Sequence, residues 1–232
     1  MQLSGANVII IGGSSGMGLA TAQLAKEERA NVTIVSRSRE RLRRAVEVLG
    51  NVDAKVADFT IESEVAAIFA HLKHVDHVFV SAGGYFGASV MEAELDTFRS
   101  DVAQRLWGPL YVVRHAVPKM SNGSITFLTG QLASRPAAGA AVTGAMHAAL
   151  ETLAKGLAIE LAPIRINAVE AGTIDTPAFG EYRDQVAKEA SKRLPVKRIG
   201  SPHEVAHAVL LLMTNDFITG EVFHIDGGER LV

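Results

Sequence analysis

A short apolar segment near the start of the chain, Val8 to Ile11, leads directly into the glycine-rich turn Gly-Gly-Ser-Ser-Gly-Met-Gly at residues 12–18. The β-branched run predicts a buried strand, and the spacing of apolar residues from Leu19 onward predicts a helix. Glycines allow the connection to turn sharply and leave the first amides of the helix open to a phosphate group. The segment therefore predicts a strand, a phosphate-binding turn and a helix, although a tight turn with nothing bound would give the same pattern.

Six further apolar runs follow the first at regular intervals, with helix-like segments between most of them. They are Val32 to Val35, Val52 to Val56, Val75 to Val80, Ile125 to Leu128, Ile164 to Val169 and Val222 to Ile225. Alternating strands and helices predict an α/β fold, a Rossmann-like, doubly wound, seven-stranded parallel sheet flanked by helices. The 232 residues, 48% of them hydrophobic, predict a single domain over residues 1–232. We expect the irregular stretch at about 173–195 to be a substrate loop that acts as a lid.

The charge and cysteine content narrow the class of partner. A net charge of −2, from 23 basic and 25 acidic residues, provides no long-range field for nucleic acid or an anionic membrane, so small molecules are the expected partners. The absence of cysteine excludes disulfides, thiolate catalysis and thiolate-bound metal. No apolar run approaches the ~20 residues that span a bilayer, and no basic leader precedes the first strand. These features predict a soluble, cytoplasmic protein.

The second predicted strand ends in Val35, Ser36 and Arg37, and these residues bear on the choice of cofactor. A dinucleotide fold places an acidic residue here when the cofactor lacks a 2′-phosphate. Ser36 can instead donate a hydrogen bond, and Arg37 can form a charge-assisted pair with a phosphate, which favours NADP(H) over NAD(H). We interpret the nearby Arg39, Arg41, Arg43 and Arg44 as a solvated helix face.

Further segments, in the same order along nearly the whole chain, resemble those of classical short-chain dehydrogenases/reductases. Asp58 resembles the family's acid that contacts the adenine amino group, and residues 81–84 (Ser-Ala-Gly-Gly) resemble its Asn-Ala-Gly turn with Ser replacing Asn. Residues 167–176 resemble the family's Asn-x-Val-x-Pro-Gly-x-x-x-Thr segment beside the nicotinamide, with Ala171 where Pro is usual. The C-terminal part, residues 198–206 and Thr219-Gly220 to Asp226-Gly227-Gly228, is also similar to the family's.

The resemblance implies a cofactor site and an oligomer. Together with the glycine turn and the end of the second strand, it implies that NADP(H) is held by Gly12, Ser14, Ser15, Gly16, Met17, Gly18, Ser36, Arg37, Asp58, Phe59, Ser81, Ala82, Gly83, His147, Gly172, Ile174 and Thr176. It also implies a homodimer or homotetramer that packs through helices around residues 101–119 and 141–162.

The family's reaction uses Ser, Tyr and Lys with an Asn upstream, and this chain contains no Tyr-x-x-x-Lys. Counted from residues 123–130, the Ser position is Gly130, the Tyr position is Thr143 and the Lys position is His147; the Asn position is Arg105. The spacing matches the family while all four residues differ, so the standard mechanism is not expected.

Thr143, His147 and Arg105 are the candidate catalytic residues. The pKa of a Thr hydroxyl is far above that of a phenol, so Thr143 can hydrogen-bond a substrate but not easily donate a proton. His147, whose type titrates near neutrality, could bind the nicotinamide ribose, act as the acid/base, or merely pack within its helix. Arg105, Gln131 and Arg135 could orient a carbonyl or carboxylate, and Tyr85 and Tyr182 lie on loops that resemble substrate-facing ones; surface or packing roles are the alternatives for each. Lys155, two turns beyond His147, is not expected to be catalytic.

Two histidine-containing segments are weighed as metal sites. Residues 203–207 match the His-Glu-x-x-His pattern of zinc proteases, but Pro202 suits a first helical turn and no third ligand is apparent, so no metal is expected. The cluster of His71, His74, Asp76 and His77 is interpreted as a solvated helix end.

Three functions remain open from the sequence. The first is an NADP(H)-dependent oxidoreductase that transfers hydride to or from a small carbonyl, imine or activated alkene, with the proton supplied by His147, water or the substrate. The second is a non-catalytic NADP(H)-binding sensor or scaffold protein. The third is an isomerase or lyase on the same fold.

Overall fold

The computed structural model describes residues 3–84 and 87–232, and it contains one sheet of seven parallel strands. The strands are β1 (Asn7–Ile11), β2 (Asn31–Ser36), β3 (Asp53–Val56), β4 (His77–Val80), β5 (Ser124–Gly130), β6 (Arg165–Ala171) and β7 (Val222–Ile225), in the order β3-β2-β1-β4-β5-β6-β7. This order confirms the predicted Rossmann-like, doubly wound fold.

Helices cover both faces of the sheet. They are α1 (Gly16–Glu27), α2 (Arg39–Leu49), α3 (Glu62–Ala70), α4 (Leu95–Val102), α5 (Gly108–Ala116), α6 (Ala141–Glu160), α7 (Arg183–Arg193) and α8 (Pro202–Thr214). A π-helical turn (Ala103–Trp107) joins α4 to α5, and short 3₁₀ turns occur at Val117–Lys119, Gln131–Ala133, Pro177–Tyr182 and Glu229–Leu231. Within the part of the chain described, no helix is both long and apolar enough to cross a membrane.

The central strands are apolar on both sides because each face of the sheet packs against helices. Ile9 and Ile11 of β1 belong to the cluster formed with α3, α5 and α6, whereas Val8 and Ile10 belong to the cluster formed with α1, α2 and α8. Every residue of β6 is buried. The alternation within β1 therefore fixes which helices lie on which side.

The functional crevice begins where the strand order reverses, between β1 and β4. The turn after β1 and the turn after β4 contact each other there: a Cβ atom on Gly12 would lie 2.7 Å from the backbone nitrogen of Ala82. Gly12 also has φ +89°, so glycine is required at this position for both conformation and space. The carboxyl ends of these two strands position the site described next.

The predicted position of His77 at a solvated helix end is wrong. It lies within β4 and is completely buried, with Nδ1 3.0 Å from Oγ of Ser124, whereas the sequence suggested a solvated helix end. The cluster is therefore divided: His74 is partly exposed beside Asp76, and His77 is internal because all of β4 is buried. Burial, with a smaller contribution from the Arg165 charge, lowers the pKa of His77 to about 4.

Candidate active site

A cavity of about 380 Å³ lies at the carboxyl ends of β1, β2 and β4. Thirteen of the predicted cofactor residues line it: Gly12, Ser14, Ser15, Gly16, Met17, Gly18, Ser36, Arg37, Phe59, Ser81, Ala82, Gly83 and Thr176. The remaining described lining residues are Ile11, Val35, Arg41, Ala57, Gly84, Gln104, Pro177 and Ala178. The lining brings together the glycine turn, the end of β2 and the start of the predicted substrate loop.

The glycine turn leaves room for a phosphate at the start of α1. A Cβ atom on Gly18 would lie 2.3 Å from the carbonyl oxygen of Gly12, so only glycine allows this close approach of turn and helix. Ser15 precedes α1 without forming a side-chain cap bond to its amides. The first amides of α1 are thus suited to an anionic group in the cavity.

The end of β2 offers hydroxyl and guanidinium groups to the cavity. Ser14 donates a hydrogen bond of 2.9 Å to Oγ of Ser36, which leaves the Ser36 hydroxyl hydrogen available to another acceptor. Arg37 and Arg41 also line this end, and no carboxylate is among the described lining residues. These groups fit a cofactor with a 2′-phosphate on its adenosine ribose.

Arg41 is exposed on α2, as predicted for a solvated helix face, and it also lines the cavity. It lies in the first turn of α2, where its backbone amide donates to the capping hydroxyl of Ser38 at 3.2 Å, and this turn faces the cavity. Sequence spacing alone did not distinguish Arg41 from the arginines around it. Two of those, Arg43 and Arg44, form ion pairs with Glu47 and Glu40 along the exposed helix.

Four predicted cofactor residues, Asp58, His147, Gly172 and Ile174, do not line this cavity. Asp58 lies beside it and pairs with Arg37 at 3.6 Å. Burial opposes its ionisation, but hydrogen bonds from Thr60 and the Arg37 charge hold the pKa of Asp58 below its usual value. Ile174 is 4% exposed and packs in the core, and Gly172 lies against the C-terminal turn, so neither is brought to the cavity.

A completely buried carboxylate, Asp101, links two of the candidate catalytic residues. Thr143 donates its hydroxyl to Oδ2 of Asp101 at 2.7 Å, and Nε of Arg105 donates to Oδ1 at 2.7 Å. Arg105 also donates to the carbonyl oxygen of Gly84, and the adjacent Gln104 accepts from the Gly84 amide at 3.0 Å. Burial lowers the pKa of Arg105 while Asp101 opposes that shift.

Asp101 and Gln104 were missed in the sequence. Asp101 lies four residues before Arg105, a spacing that places both on one helix face, and this was the available signal. Gln104 lies in the π-helical turn and lines the cavity. Neither the turn nor the burial of the carboxylate could be derived from residue spacing.

His147 lies against Gly130, and a Cβ atom on Gly130 would be 2.5 Å from Cε1 of the imidazole. Nδ1 of His147 lies 3.1 Å from the Gly130 carbonyl oxygen, which can only accept, so Nδ1 carries the hydrogen. Burial, and then the Arg105 charge, lower the pKa of His147 to about 3, outweighing the bond to Gly130. The expectation that His147 titrates near neutrality is therefore wrong, and Nε2 is an unprotonated, buried acceptor with no partner among the described residues.

The remaining sequence candidates lie around this group. Gln131 begins the 3₁₀ turn after β5, and its Oε1 is buried without a partner among the described residues. Arg135 is partly exposed, Tyr182 is 63% exposed on the loop after β6, and Lys155 is exposed on α6. Tyr85 lies outside the described residues.

A carboxyl pair lies one helical turn beyond His147. Thr129 donates to Glu151 at 2.8 Å, and Ser134 donates to the completely buried Glu170 at 2.6 Å. Burial and the neighbouring Glu170 raise the pKa of Glu151 despite the bond from Thr129. Glu151 therefore binds its proton more tightly than an exposed glutamate does.

The zinc-protease pattern at residues 203–207 has a structural explanation. Glu204 forms a capping box with Ser201 and pairs with Arg198 at 2.6 Å. Arg198, with the Ser201 amide, lowers the pKa of Glu204 to about 2. Residues 3–84 and 87–232 contain no group of three or more His, Cys, Asp or Glu side chains that could hold a metal ion.

Comparison with known proteins gives consistent matches over the whole chain. The family model described as enoyl-(acyl carrier protein) reductase matches residues 11–229. A short-chain dehydrogenase/reductase of Stachybotrys chlorohalonatus is 31% identical over 252 residues, covering 99% of this chain and 98% of the relative. The structure of the MalC reductase/Diels-Alderase of Malbranchea aurantiaca has a TM-score of 0.94 at 26% identity, covering 100% and 98% of the two chains. A small-chain dehydrogenase in complex with NADPH has a TM-score of 0.86 at 29% identity, covering 99% and 100%.

Proposed function

This chain belongs to the short-chain dehydrogenase/reductase family, and from that premise we propose that it is an NADP(H)-dependent oxidoreductase whose proton is not supplied by a tyrosine. The observation that carries the choice of cofactor is the end of β2, where Ser36, Arg37 and Arg41 face the cavity and no described carboxylate does. Ser36 and the two arginines would hold the 2′-phosphate, and the amides at the start of α1 would hold the pyrophosphate.

The described residues at the family's catalytic positions provide no group that readily exchanges a proton near neutral pH. Thr143 donates its hydroxyl to Asp101, His147 is neutral because it is buried, and Arg105 retains its proton in a buried ion pair. When bound, the nicotinamide cofactor supplies or accepts hydride. We propose that the carbon receiving hydride is already electron-poor, as in an iminium ion or an activated alkene, so that water or the substrate can complete the proton balance.

Each candidate catalytic residue then has a limited role. Arg105 presents a fixed positive group held by Asp101, and its guanidinium lies close to Gly83 in the cavity wall. His147 keeps Nε2 as a buried, unprotonated acceptor outside the described cavity lining, and this atom would accept a hydrogen bond from a hydroxyl such as that of the nicotinamide ribose once the cofactor is bound. Thr143 orients Asp101 rather than donating a proton to the substrate.

The test measures binding and turnover separately. NADPH and NADH are titrated by fluorescence, and NADPH oxidation is followed across a panel of ketones, cyclic iminium ions and enones. We expect tighter binding of NADPH and turnover confined to the iminium ions or enones. Arg37→Ala should weaken NADPH binding about 10- to 100-fold, as loss of a charged phosphate contact does, whereas Arg44→Ala on the exposed face of α2 serves as the control. Absence of turnover across the panel counts against an oxidoreductase.

A second candidate is a non-catalytic NADP(H)-binding protein. The observation favouring it is that Thr143 and Arg105 both bond to buried Asp101. Tight NADPH binding without any turnover, together with a co-purifying partner, would support this candidate. An isomerase or lyase is the third, since one structural relative is described as a reductase/Diels-Alderase; conversion of substrate without added nicotinamide would identify it.

We further propose a homodimer or homotetramer that packs through the helices around residues 101–119 and 141–162. Trp107 is 50% exposed and stacks with Tyr111 on the first of these, and Ile159 on α6 is 84% exposed. Apolar side chains on two helix surfaces favour burial against another subunit. Sedimentation velocity of wild type and of Ile159→Glu measures the assembly state and its dependence on this surface.

A further inference from the structure

The chain between β6 and α8 contacts the cavity at its start, and we call residues 174–192 the lid. Thr176, Pro177 and Ala178 at its start line the cavity. The lid continues through the 3₁₀ turn Pro177–Tyr182 and most of α7, and residues 180–185 are exposed.

Both ends of the lid are bound to one completely buried carboxylate, that of Glu229 in the C-terminal turn. Before the lid, Thr173 donates its backbone amide to Oε2 of Glu229 at 2.7 Å and its hydroxyl to Oε1 at 3.0 Å. At the other end, Arg193, the last residue of α7, donates to Oε1 in an ion pair. A single side chain thus connects two points of the backbone that are twenty residues apart in sequence.

The turn that carries Glu229 is built to fit against the lid ends. Cβ atoms on Gly227 and Gly228 would lie 2.5 Å from Val196 and 2.8 Å from Pro195, and both glycines have positive φ. On the other side, a Cβ atom on Gly172 would lie 2.8 Å from Oε2 of Glu229. The glycines therefore allow the C-terminal turn to contact the chain directly before and after the lid.

Asp226 fixes the shape of this turn from within. Its carboxylate accepts hydrogen bonds from the Gly228 amide at 2.9 Å and from the Arg230 amide at 3.0 Å. Glu229 is consequently held in place by its own backbone before it contacts Thr173 or Arg193. A carboxylate with this preorganisation can restrain its partners more strongly than a mobile surface ion pair.

We propose that Glu229 is the positioning residue that holds the lid over the cofactor cavity by clamping its two ends. The middle of the lid is then the part that opens for exchange of cofactor and substrate, while residues 173 and 193 act as fixed hinge points. The Arg183 and Asp175 pair, with Nε to Oδ1 at 2.6 Å, keeps the opening segment folded on itself. The proposal rests on the proposed cofactor site for its functional meaning, although the clamp itself does not require a bound cofactor.

The test is limited digestion of the full-length protein with trypsin, whose sites Arg183, Lys188 and Lys192 lie within the lid. Cleavage after Arg183 and Lys188 is followed, because substitution of Arg193 changes the residue next to Lys192. Glu229→Gln removes the charge and keeps the size, and Arg193→Gln removes the ion pair while leaving Glu229 bonded to Thr173. Without cofactor, cleavage after residues 183 and 188 should accelerate roughly three- to tenfold in both variants, because a lost tether lowers the free energy of local opening. The NADPH dissociation constant should rise by a similar factor.

Matched variants separate the clamp from general loss of stability. Arg193→Lys should restore most of the protection, and Arg43→Gln, which breaks the exposed pair with Glu47, should change neither digestion nor binding. Unchanged lid cleavage in Arg193→Gln, or equal acceleration at sites outside the lid, would overturn the proposal. If wild type does not bind NADPH, the proposed function is wrong, whereas digestion of the cofactor-free protein still tests whether Glu229 holds the lid. If Glu229→Gln does not fold, Arg193→Gln is compared with wild type instead.

Discussion

The imidazole of His147 occupies the space that a side chain at position 130 would need, because a Cβ atom on Gly130 would lie 2.5 Å from its Cε1. Gly130 itself has φ −144° and ψ 157°, an extended conformation open to any residue. Glycine is therefore needed at position 130 because the His147 imidazole leaves no space for a side chain, and not because of the backbone conformation. Positions 130 and 147 form a coupled pair in which a small residue accommodates a ring.

This coupling predicts the result of a double-mutant cycle. Gly130→Ser should destabilise the fold by about 1–3 kcal/mol through overpacking, and that cost should shrink by more than about 0.5 kcal/mol in the His147→Ala background. Urea unfolding at pH 7.5 provides the free energies. Gly156→Ala is the control, since a Cβ atom there meets nothing within 4 Å. Additive effects of the two substitutions would contradict the proposed contact.

His147 should remain neutral throughout the range in which an exposed imidazole titrates. Its pKa of about 3 follows first from burial and then from the Arg105 charge, so protonation between pH 8 and pH 5 is unfavourable. The ring resonances of His147, assigned by comparison with His147→Gln, should keep the shifts of the Nδ1-protonated form across that range. Free imidazole in the same tube reports the pH. A titration midpoint near neutrality would restore His147 as a candidate acid.

Acid sensitivity of the fold should depend on His77. Its folded pKa of about 4 lies below the unfolded reference of about 6.5, so the unfolded chain binds protons that the folded chain does not. Stability is therefore full above pH 6.5 and falls as the pH drops toward 4, by about 2 kcal/mol between pH 7.5 and pH 5 from this group alone.

The measurement is urea unfolding of wild type and His77→Gln at both pH values. The variant is expected to be less stable at pH 7.5, because Ser124 loses its imidazole partner, and to lose less stability on acidification. Subtracting the decrease in free energy of unfolding of the variant from that of wild type gives the contribution of His77, because both proteins contain the same carboxylates. Equal losses would show that His77 does not determine the acid response.

The sequence predicted the framework of the site well because the signals were local. Residue type alone predicts the strand at Val8 and the turn at Gly12. The position of Ser36 and Arg37 at the end of β2 predicted the cofactor preference in the same way. The burial of His147 on α6 was not a local signal, because it depends on contact with Gly130 at the end of β5. Asp101 was missed for the same reason, since its isolation from solvent and its contact with Thr143 arise only when α4 packs against α6.

Cofactor preference should reverse on introducing a carboxylate at the end of β2. Ser36→Asp places a negative charge beside Arg37, where it would repel a 2′-phosphate and accept hydrogen bonds from an unmodified ribose. The NADPH dissociation constant is expected to rise at least about tenfold while that of NADH falls, a difference measurable by fluorescence titration. Ser38→Asp, two residues on at the cap of α2, is the control for an added charge that keeps the capping acceptor. A parallel loss of both cofactors would indicate a distorted turn.

Replacing Glu151 by glutamine should stabilise the protein at neutral and higher pH. Burial and Glu170 raise the folded pKa of Glu151 above its unfolded value, so the folded state holds a proton that the unfolded state releases. The free energy of unfolding therefore falls as the pH rises from the unfolded pKa of Glu151 through its folded pKa. Glutamine does not ionise, so the variant does not lose this stability. The Thr129 hydroxyl can still donate to the glutamine oxygen, which keeps the hydrogen bond.

Thermal unfolding of Glu151→Gln and of the exposed Glu160→Gln on the same helix, at pH 5 and pH 8, measures the effect. We expect a gain in stability for Glu151→Gln that grows between pH 5 and pH 8, and no gain for Glu160→Gln. Equal responses of the two variants would argue against a raised pKa of Glu151.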